Sequence, residues 1–416
     1  LQKLDEEHVA GLACQVFQSD GDQDDALPSL PKRALEAAER NRFMDRQYNI
    51  RYNEVTQSPE YSKKGKYELD FRPVTKHVLN SIVLDAQDEG INMWDKDVKR
   101  YFDSDRATCY NPFDTFFNEL PKWDRRPRID KFFRRVPTND ETWYSLAHTW
   151  FLGMVALWKG VNRRRGNESI LVLVGPQGVG KSTFCRNIMP PSLSSYYTEN
   201  FSLDDRRKAM LMLTRYGLIN FDEMNRIKER QQPTLKNMLQ LPTVDEVRPY
   251  ASAPTRERRY ASFAGTSNSM DVITDLTGSR RYICTDVTGK IDTRRPVNHE
   301  QLYAEAVHEL NQGRHYWLSE EEEDALVERN IAFVRLPPIA ERFDTVFQPG
   351  SEDDKASKWL YTTQIFNRLY PTIHTEISKK QAYDFADIIR SRKIASKRSS
   401  GGMKYLVKEL ENDENV

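Results

Sequence analysis

Cysteine is scarce in this chain, with four in 416 residues, at Cys14, Cys109, Cys185 and Cys284, and no Cys-x-x-Cys pair. No histidine stands at metal-ligand spacing beside them, so neither a zinc site nor a disulfide framework is suggested. That usage fits a reducing, cytoplasmic setting. Long apolar runs are missing too. The longest, Trp150 to Trp158, covers nine residues and stops at Lys159, too short to span a bilayer, and no secretory pattern opens the chain. The chain starts at Leu1, as an excised or trimmed fragment would. Net charge is absent as well, with 62 Lys+Arg against 62 Asp+Glu. Any nucleic-acid surface must therefore come from local clustering of basic residues. With 38% hydrophobic and 30% charged residues in 416, the expectation is a soluble protein of several domains.

Glycine and proline are sparse, yet three glycines gather behind the apolar run Ile170 to Val174. Gly175, Pro176, Gln177, Gly178, Val179, Gly180, Lys181, Ser182 and Thr183 read as a phosphate-binding loop between a buried strand and a helix start. The glycines let successive N–H groups turn inward on a phosphate, and Lys181 adds a mobile charge for β- and γ-phosphates. Ser182 is placed to ligate Mg²⁺, with Thr183 the weaker claimant. Downstream, the apolar segment Leu218 to Phe221 ends in Asp222 and Glu223. Asp222 suits the water shell of Mg²⁺, and Glu223 suits polarising a water for attack on the γ-phosphorus. The segment Tyr260 to Ser267 ends in Asn268, which would sit beside the γ-phosphate if the two strands are neighbours. Arg280 and Arg281 enter a further strand, and either could reach a neighbouring subunit's γ-phosphate as an arginine finger.

Between the acidic pair and Asn268, residues 245–260 read as a hairpin. Arg248, Arg256, Arg258 and Arg259 make it basic, and Tyr250 is available to stack on a base, so nucleic acid is the expected partner of this loop. Residues 1–110 read as an acidic leader followed by a small α+β module. In it Tyr48 to Val55 forms a strand paired with Tyr67 to Phe71, and Arg51, Lys63, Lys64 and Lys66 form a solvated face. Residues 111–137 are an aromatic and proline joint, 138–330 the α/β core and 331–354 a linker. Residues 355–416 read as three helices and a hairpin, a winged-helix plan, with Lys397 and Arg398 near phosphates.

Taken together, Asn111-Pro-Phe113, Leu120-Pro-Lys-Trp-Asp124, the glycine loop, Phe221-Asp-Glu223, Arg248-Pro-Tyr250, Gly265-Thr-Ser-Asn268 and Gly278-Ser-Arg-Arg281 resemble the virulence-associated protein E family of phages and mobile elements. The core of that family is similar to superfamily III helicases and to the helicase halves of primase-helicases. The resemblance covers about Asn111 to Asp286. It implies an AAA+ type α/β P-loop ATPase using ATP and Mg²⁺, a homo-oligomeric and often hexameric ring, and a basic hairpin lining the pore. Single-stranded or forked DNA is the implied partner, with a separate primase or replication protein as a further one; no primase domain is recognisable in this chain. A DNA helicase or translocase is the expected activity. The alternatives are a nucleotide-switched replication initiator that does not travel, and a P-loop phosphotransferase.

Overall fold

A computed structural model of the chain describes residues 31–65, 70–161, 166–246, 255–274, 276–335, 338–370 and 377–410. Two compact units meet in sequence between Tyr110 and Asn111. In the first, helix α1 (Lys32–Gln47) leads into β1 (Tyr48–Asn53), which turns back antiparallel as β2 (Ser58–Lys63), with Tyr48 opposite Lys63. The turn closes because Asn53 Oδ1 accepts the N–H groups of Val55 at 3.0 Å and Thr56 at 3.1 Å. Strand β3 (Arg72–Pro73), helices α2 (Lys76–Asp88) and α3 (Asp95–Phe102), and β4 (Thr108–Tyr110) complete a sheet of order β3-β2-β1-β4. Phe43, Met44, Ile82, Ala86, Val98 and Phe102 form its core.

Two expectations change here. The partner of β1 is not Tyr67 to Phe71, of which Tyr67 to Leu69 lie outside the described residues, but β2, whose Pro59 and polar side chains hide the strand pattern. Arg51 is also no solvated charge. Its guanidinium lies 3.5 Å from the Tyr110 ring centre and 4.0 Å from that of Phe71, and it pairs with Glu60 at 2.7 Å.

The second unit opens with helix α4 (Pro112–Glu119), capped by Asn111 Oδ1 on the N–H groups of Phe113 and Asp114. Phe113 stacks on Tyr260 at 4.6 Å between ring centres and abuts Trp158 and Tyr196, so the aromatic stretch belongs to this unit's own core. After α5 (Ile129–Phe133) comes α6 (Glu141–Lys159), which is apolar nearly all round and correspondingly buried. Asp140 caps its start and Gly160, at φ 67°, ends it. Truncating Trp143, Trp150 or Trp158 to alanine would each cost about 3–5 kcal/mol. No helix among the described residues is long and apolar enough to cross a membrane.

A five-stranded sheet of order β11-β5-β10-β7-β6 carries the unit, made of β5 (Ile170–Val174), β6 (Tyr197–Thr198), β7 (Leu218–Phe221), β10 (Ser262–Ser267) and β11 (Tyr282–Asp286). Each recorded pair in it is parallel. Helices α7 (Lys181–Ile188), α8 (Arg206–Arg215), α9 (Gln232–Gln240), α10 (His299–Asn311) and α11 (Glu320–Arg329) belong to the same unit. The fold is mixed α/β, with strands buried on both faces as parallel sheets require. A separate hairpin joins β8 (Thr243–Glu246) to β9 (Thr255–Arg258).

The stretch read as a linker holds α12 (Pro338–Val346) and β12 (Phe347–Pro349), and Ile339, Ala340, Phe343 and Phe347 are buried in the C-terminal core. There the first of the three helices expected within 355–416 is instead β13 (Ser357–Tyr361) followed by α13 (Thr362–Leu369), because Trp359 and Leu360 alternate about the sheet plane. One helix, α14 (Lys379–Ser391), stands where two were expected, and β14 (Ser396–Ser399) turns into β15 (Gly402–Glu409), which pairs with β12, β13 and β14.

His148 ties α6 to its neighbours. Its Nδ1 lies 2.7 Å from Asp130 and its Nε2 2.8 Å from Glu309. Burial by itself lowers the imidazole pKa, but the hydrogen bonds to Asp130 and Glu309 outweigh it and the net shift is upward. The folded state therefore holds the proton more tightly than the unfolded chain. This stabilisation is complete below the ordinary histidine value of 6.5 and fades as pH rises through the raised one. His148→Gln should thus cost about 2 kcal/mol at pH 6 and less at pH 8.5. Urea denaturation of both proteins at the two pH values checks it; an equal loss at both would mean the imidazole folds uncharged.

Candidate functional site

The C-terminal ends of β5, β7 and β10 open on one cleft of about 360 Å³, lined by Gln177, Gly178, Gly180, Lys181, Ser182, Thr183, Asp222, Glu223, Thr266, Ser267 and Asn268. The register explains the convergence. Ser267 lies opposite Val174 and Gly265 opposite Phe221, so Gly175, Asp222 and Asn268 all follow at the same edge. The loop itself needs glycine where φ is 83° at Gly178 and 100° at Gly180, the latter immediately before α7. Gly175 and Pro176 turn their carbonyls to Lys181, and the Val179 carbonyl accepts from Ile291 N at 2.9 Å.

Lys181 is buried, and its Nζ donates to Gly175 O at 2.7 Å, Pro176 O at 2.8 Å and Asn268 Oδ1 at 3.0 Å. Burial lowers its pKa while the charge of Asp222 opposes the shift. Asp222 accepts a hydrogen bond from Thr266 Oγ1 at 2.9 Å and lies 3.5 Å from Ser182 Oγ. Ser182 and Asp222 thus offer two hard oxygen donors side by side, a set suited to a magnesium ion. Glu223 sits at φ 56° and ψ 63°, a left-handed conformation costing a non-glycine residue about 1 kcal/mol, and its carboxylate pairs with Arg226. The glycine loop, the acidic pair and Asn268 are therefore brought together.

The expected site omitted Thr266 and Arg226. Thr266 was legible, since two residues before Asn268 places it on the same strand face. Arg226 was not, because its contact depends on the short helical turn after Glu223.

The arginines divide between surface and interior. Arg280 pairs with Glu323 at 2.9 Å, and Arg281, part-buried, leaves Nε without a partner. Both precede β11, at the sheet end remote from the glycine loop, since Tyr282 lies opposite Ile170. In the hairpin, Arg248 and Tyr250 lie outside the described residues. Arg256 is exposed, near Asp245 at 4.0 Å. Arg258 is turned inward: it donates to the carbonyls of Leu157 and Trp158 at the end of α6, pairs with Asp114 at 3.5 Å, and lies over Tyr260.

Arg259 is a correction. It is fully buried and cannot meet DNA. Its guanidinium donates to the carbonyls of Ala261 at 2.7 Å, Met238 at 2.6 Å, Leu239 at 2.7 Å, Leu241 at 3.0 Å and Asn167 at 3.3 Å. Burial brings its pKa down to about 9, so the charge is kept at neutral pH. Lys397 and Arg398 lie exposed on β14.

Fold and site together define a parallel α/β protein whose strand ends gather a lysine, a serine, two carboxylates and an asparagine around one cleft. The description "Virulence-associated protein E-like domain" matches residues 117–335, more than half of the chain, and the chain belongs to that family. No curated protein sequence matches it. Among solved structures, the apo structure of the NrS-1 C terminal region is similar, with a TM-score of 0.44 and 10% identity over 90% of this chain and 99% of that one. A second similar structure, "SCCmec type IV Cch - active helicase", has a TM-score of 0.33 and 10% identity over 88% of this chain and 93% of that one.

Arg259→Met should leave several buried carbonyls unpaired and destabilise the second unit by about 3 kcal/mol, whereas Arg256→Ala, exposed, should change stability by less than about 0.5 kcal/mol. Chemical denaturation of the two variants decides. Equal small effects would return Arg259 to the surface.

Proposed function

We propose that this chain is a Mg²⁺-dependent ATPase of the AAA+ type that moves along or opens DNA during replication of a phage or mobile element. The observation that carries the reading is the hydrogen-bonded chain from Lys181 to Asn268 and from Asp222 to Thr266 across three adjacent parallel strand ends. The placing of β5 between β10 and β11, with β7 and β6 beyond, supports an AAA+ plan. Family membership supports the replication setting.

In this reading Lys181 exchanges its contacts to Gly175, Pro176 and Asn268 for phosphate oxygens, and the loop N–H groups hold the β-phosphate. Ser182 and Asp222 would hold magnesium, which neutralises charge on the β- and γ-phosphates when bound. Glu223, once turned from Arg226, takes the proton of the attacking water on its carboxylate, and Asn268, freed from Lys181, orients that water. Arg280 and Arg281 lie about 15 Å of strand away from their own glycine loop. That separation favours a finger acting on a neighbour's nucleotide, and so a ring, hexameric by resemblance. The helix, two strands, helix, helix and hairpin order of the C-terminal part supports a winged helix.

Lys181→Ala should abolish nucleotide binding, whereas Glu223→Gln should keep it and lower turnover at least about 100-fold. Equilibrium binding of a fluorescent ATP analogue and phosphate release separate the two. Turnover by Glu223→Gln near the parent rate would remove Glu223 from the chemistry. Arg280→Ala and Arg281→Ala should leave ATP affinity intact while cutting hydrolysis, and co-assembly with Lys181→Ala subunits should restore part of it. No rescue in verified mixed assemblies would sink the finger in trans. Displacement of a strand from duplexes with 3′ or 5′ tails tests unwinding itself; ATP turnover with neither duplex opened would leave the initiator reading.

A further inference from the structure

The outer face of the C-terminal sheet carries two aromatic rings, each covered by a lysine. Strand alternation turns Leu360, Tyr405 and Val407 toward the buried core and the helices. Trp359 and Tyr361 on β13 therefore face the other way, as do Lys404 on β15, opposite Tyr361, and Lys397 on β14, opposite Lys404. The Lys397 ammonium lies 3.9 Å from the Trp359 ring centre, and the Lys404 ammonium 4.6 Å from that of Tyr361. Ser399 Oγ donates to Gly402 O at 2.9 Å and lies 3.2 Å from Tyr361 Oη, which ties that ring to the β14–β15 turn. Among the described residues neither ammonium is ion-paired with a carboxylate, while Lys408, further along β15, is neutralised by Asp354 at 2.9 Å. The result is a strip of two rings and two unneutralised cations on a face that the helices do not cover.

We propose that this face is a stacking platform for single-stranded nucleic acid. Lys397 and Lys404 swing off the rings to hold the phosphates beside the bases, and Trp359 and Tyr361, so uncovered, each take the face of one base. The spacing selects the occupant. Rings two residues apart on one strand stand about 6.6 Å apart, roughly twice the 3.4 Å rise of stacked bases in a duplex. An extended single strand can splay its bases to that distance, whereas a duplex hides their faces in its own stack. Arg398, opposite Met403, falls on the other side of β14 and is not part of the platform. The inference shares the nucleic-acid half of the proposed function and is independent of ATP hydrolysis.

The test uses the full chain without nucleotide, titrated with labelled oligo(dT), oligo(U) and a blunt duplex over a range of salt. The double substitution Trp359→Ala and Tyr361→Ala should weaken single-strand binding at least tenfold and leave the salt slope unchanged. The pair Trp359→Phe and Tyr361→Phe, which keeps both ring faces, should bind within about threefold of the parent. Lys397→Gln with Lys404→Gln should also weaken binding but should lower the slope of log K against log salt by about 1.4. Comparable losses on oligo(dT) and oligo(U) would support a general single-strand platform, and a loss confined to oligo(dT) would support one for DNA. Parent-like binding by the alanine pair overturns the platform, and so does an equal loss by the phenylalanine pair or an equal loss on the duplex. A parent protein that binds none of the three would also remove DNA from the proposed function; failure of the variants alone would leave that reading standing.

Discussion

The parallel register of β10 between β5 and β7 is the constraint on which the site depends. Ser267 opposite Val174 and Gly265 opposite Phe221 put Thr266 beside Asp222 and carry Asn268 to Lys181. A slip of one residue would turn Thr266 and Asn268 to the opposite face of the sheet and break both hydrogen bonds. That register is held by burial. Each residue of β5 and β10 is shielded from water, so a slipped strand would bring wrong side chains into both packed layers.

A second tie secures the edge from which the hairpin rises. Arg259 draws together the carbonyls at the end of α9, the strand start at Ala261 and the loop at Asn167. Arg258 does the same for the last turn of α6. Two charges adjacent in sequence thus anchor the hairpin base, leaving Arg256 as the exposed arginine of its described part. A buried guanidinium suits this task because its planar fork offers five donors to a cluster of carbonyls. The described part of the hairpin accordingly has a fixed root.

Glu223 shows another kind of linkage. Its left-handed backbone and its pairing with Arg226 put the carboxylate under local control, while Arg335 reaches from the chain segment before α12 to the Asn225 carbonyl at 3.0 Å. That segment also hydrogen-bonds to Val272 and Ile273, just beyond Asn268. The chain leading to the C-terminal part therefore touches the loops that follow both the acidic pair and Asn268.

Much of the site was legible in the sequence because its signals are local. A glycine loop after an apolar run, carboxylates at the end of another and asparagine at the end of a third each need only a strand end to be recognised, and Gly180, Asp222 and Asn268 stand where those patterns put them. The small hairpin, read at 245–260 and found with its arms at 243–246 and 255–258, was legible for the same reason. What sequence could not decide was the fate of charges whose partners are distant. Arg259 reads as one more basic hairpin residue until the carbonyls of α9 surround it, and Arg51 reads as solvated until Tyr110 and Phe71 enclose it. Strand β13 was hidden likewise: it runs directly into a helix, so its short alternation is lost in the helical pattern, and only pairing with β15 reveals it. Local backbone chemistry wrote the glycine loop and the strand ends into the sequence. Tertiary structure alone assigned arginines to interior or surface and strands to their partners, because both depend on hydrogen-bonding groups that come near only once the chain has folded.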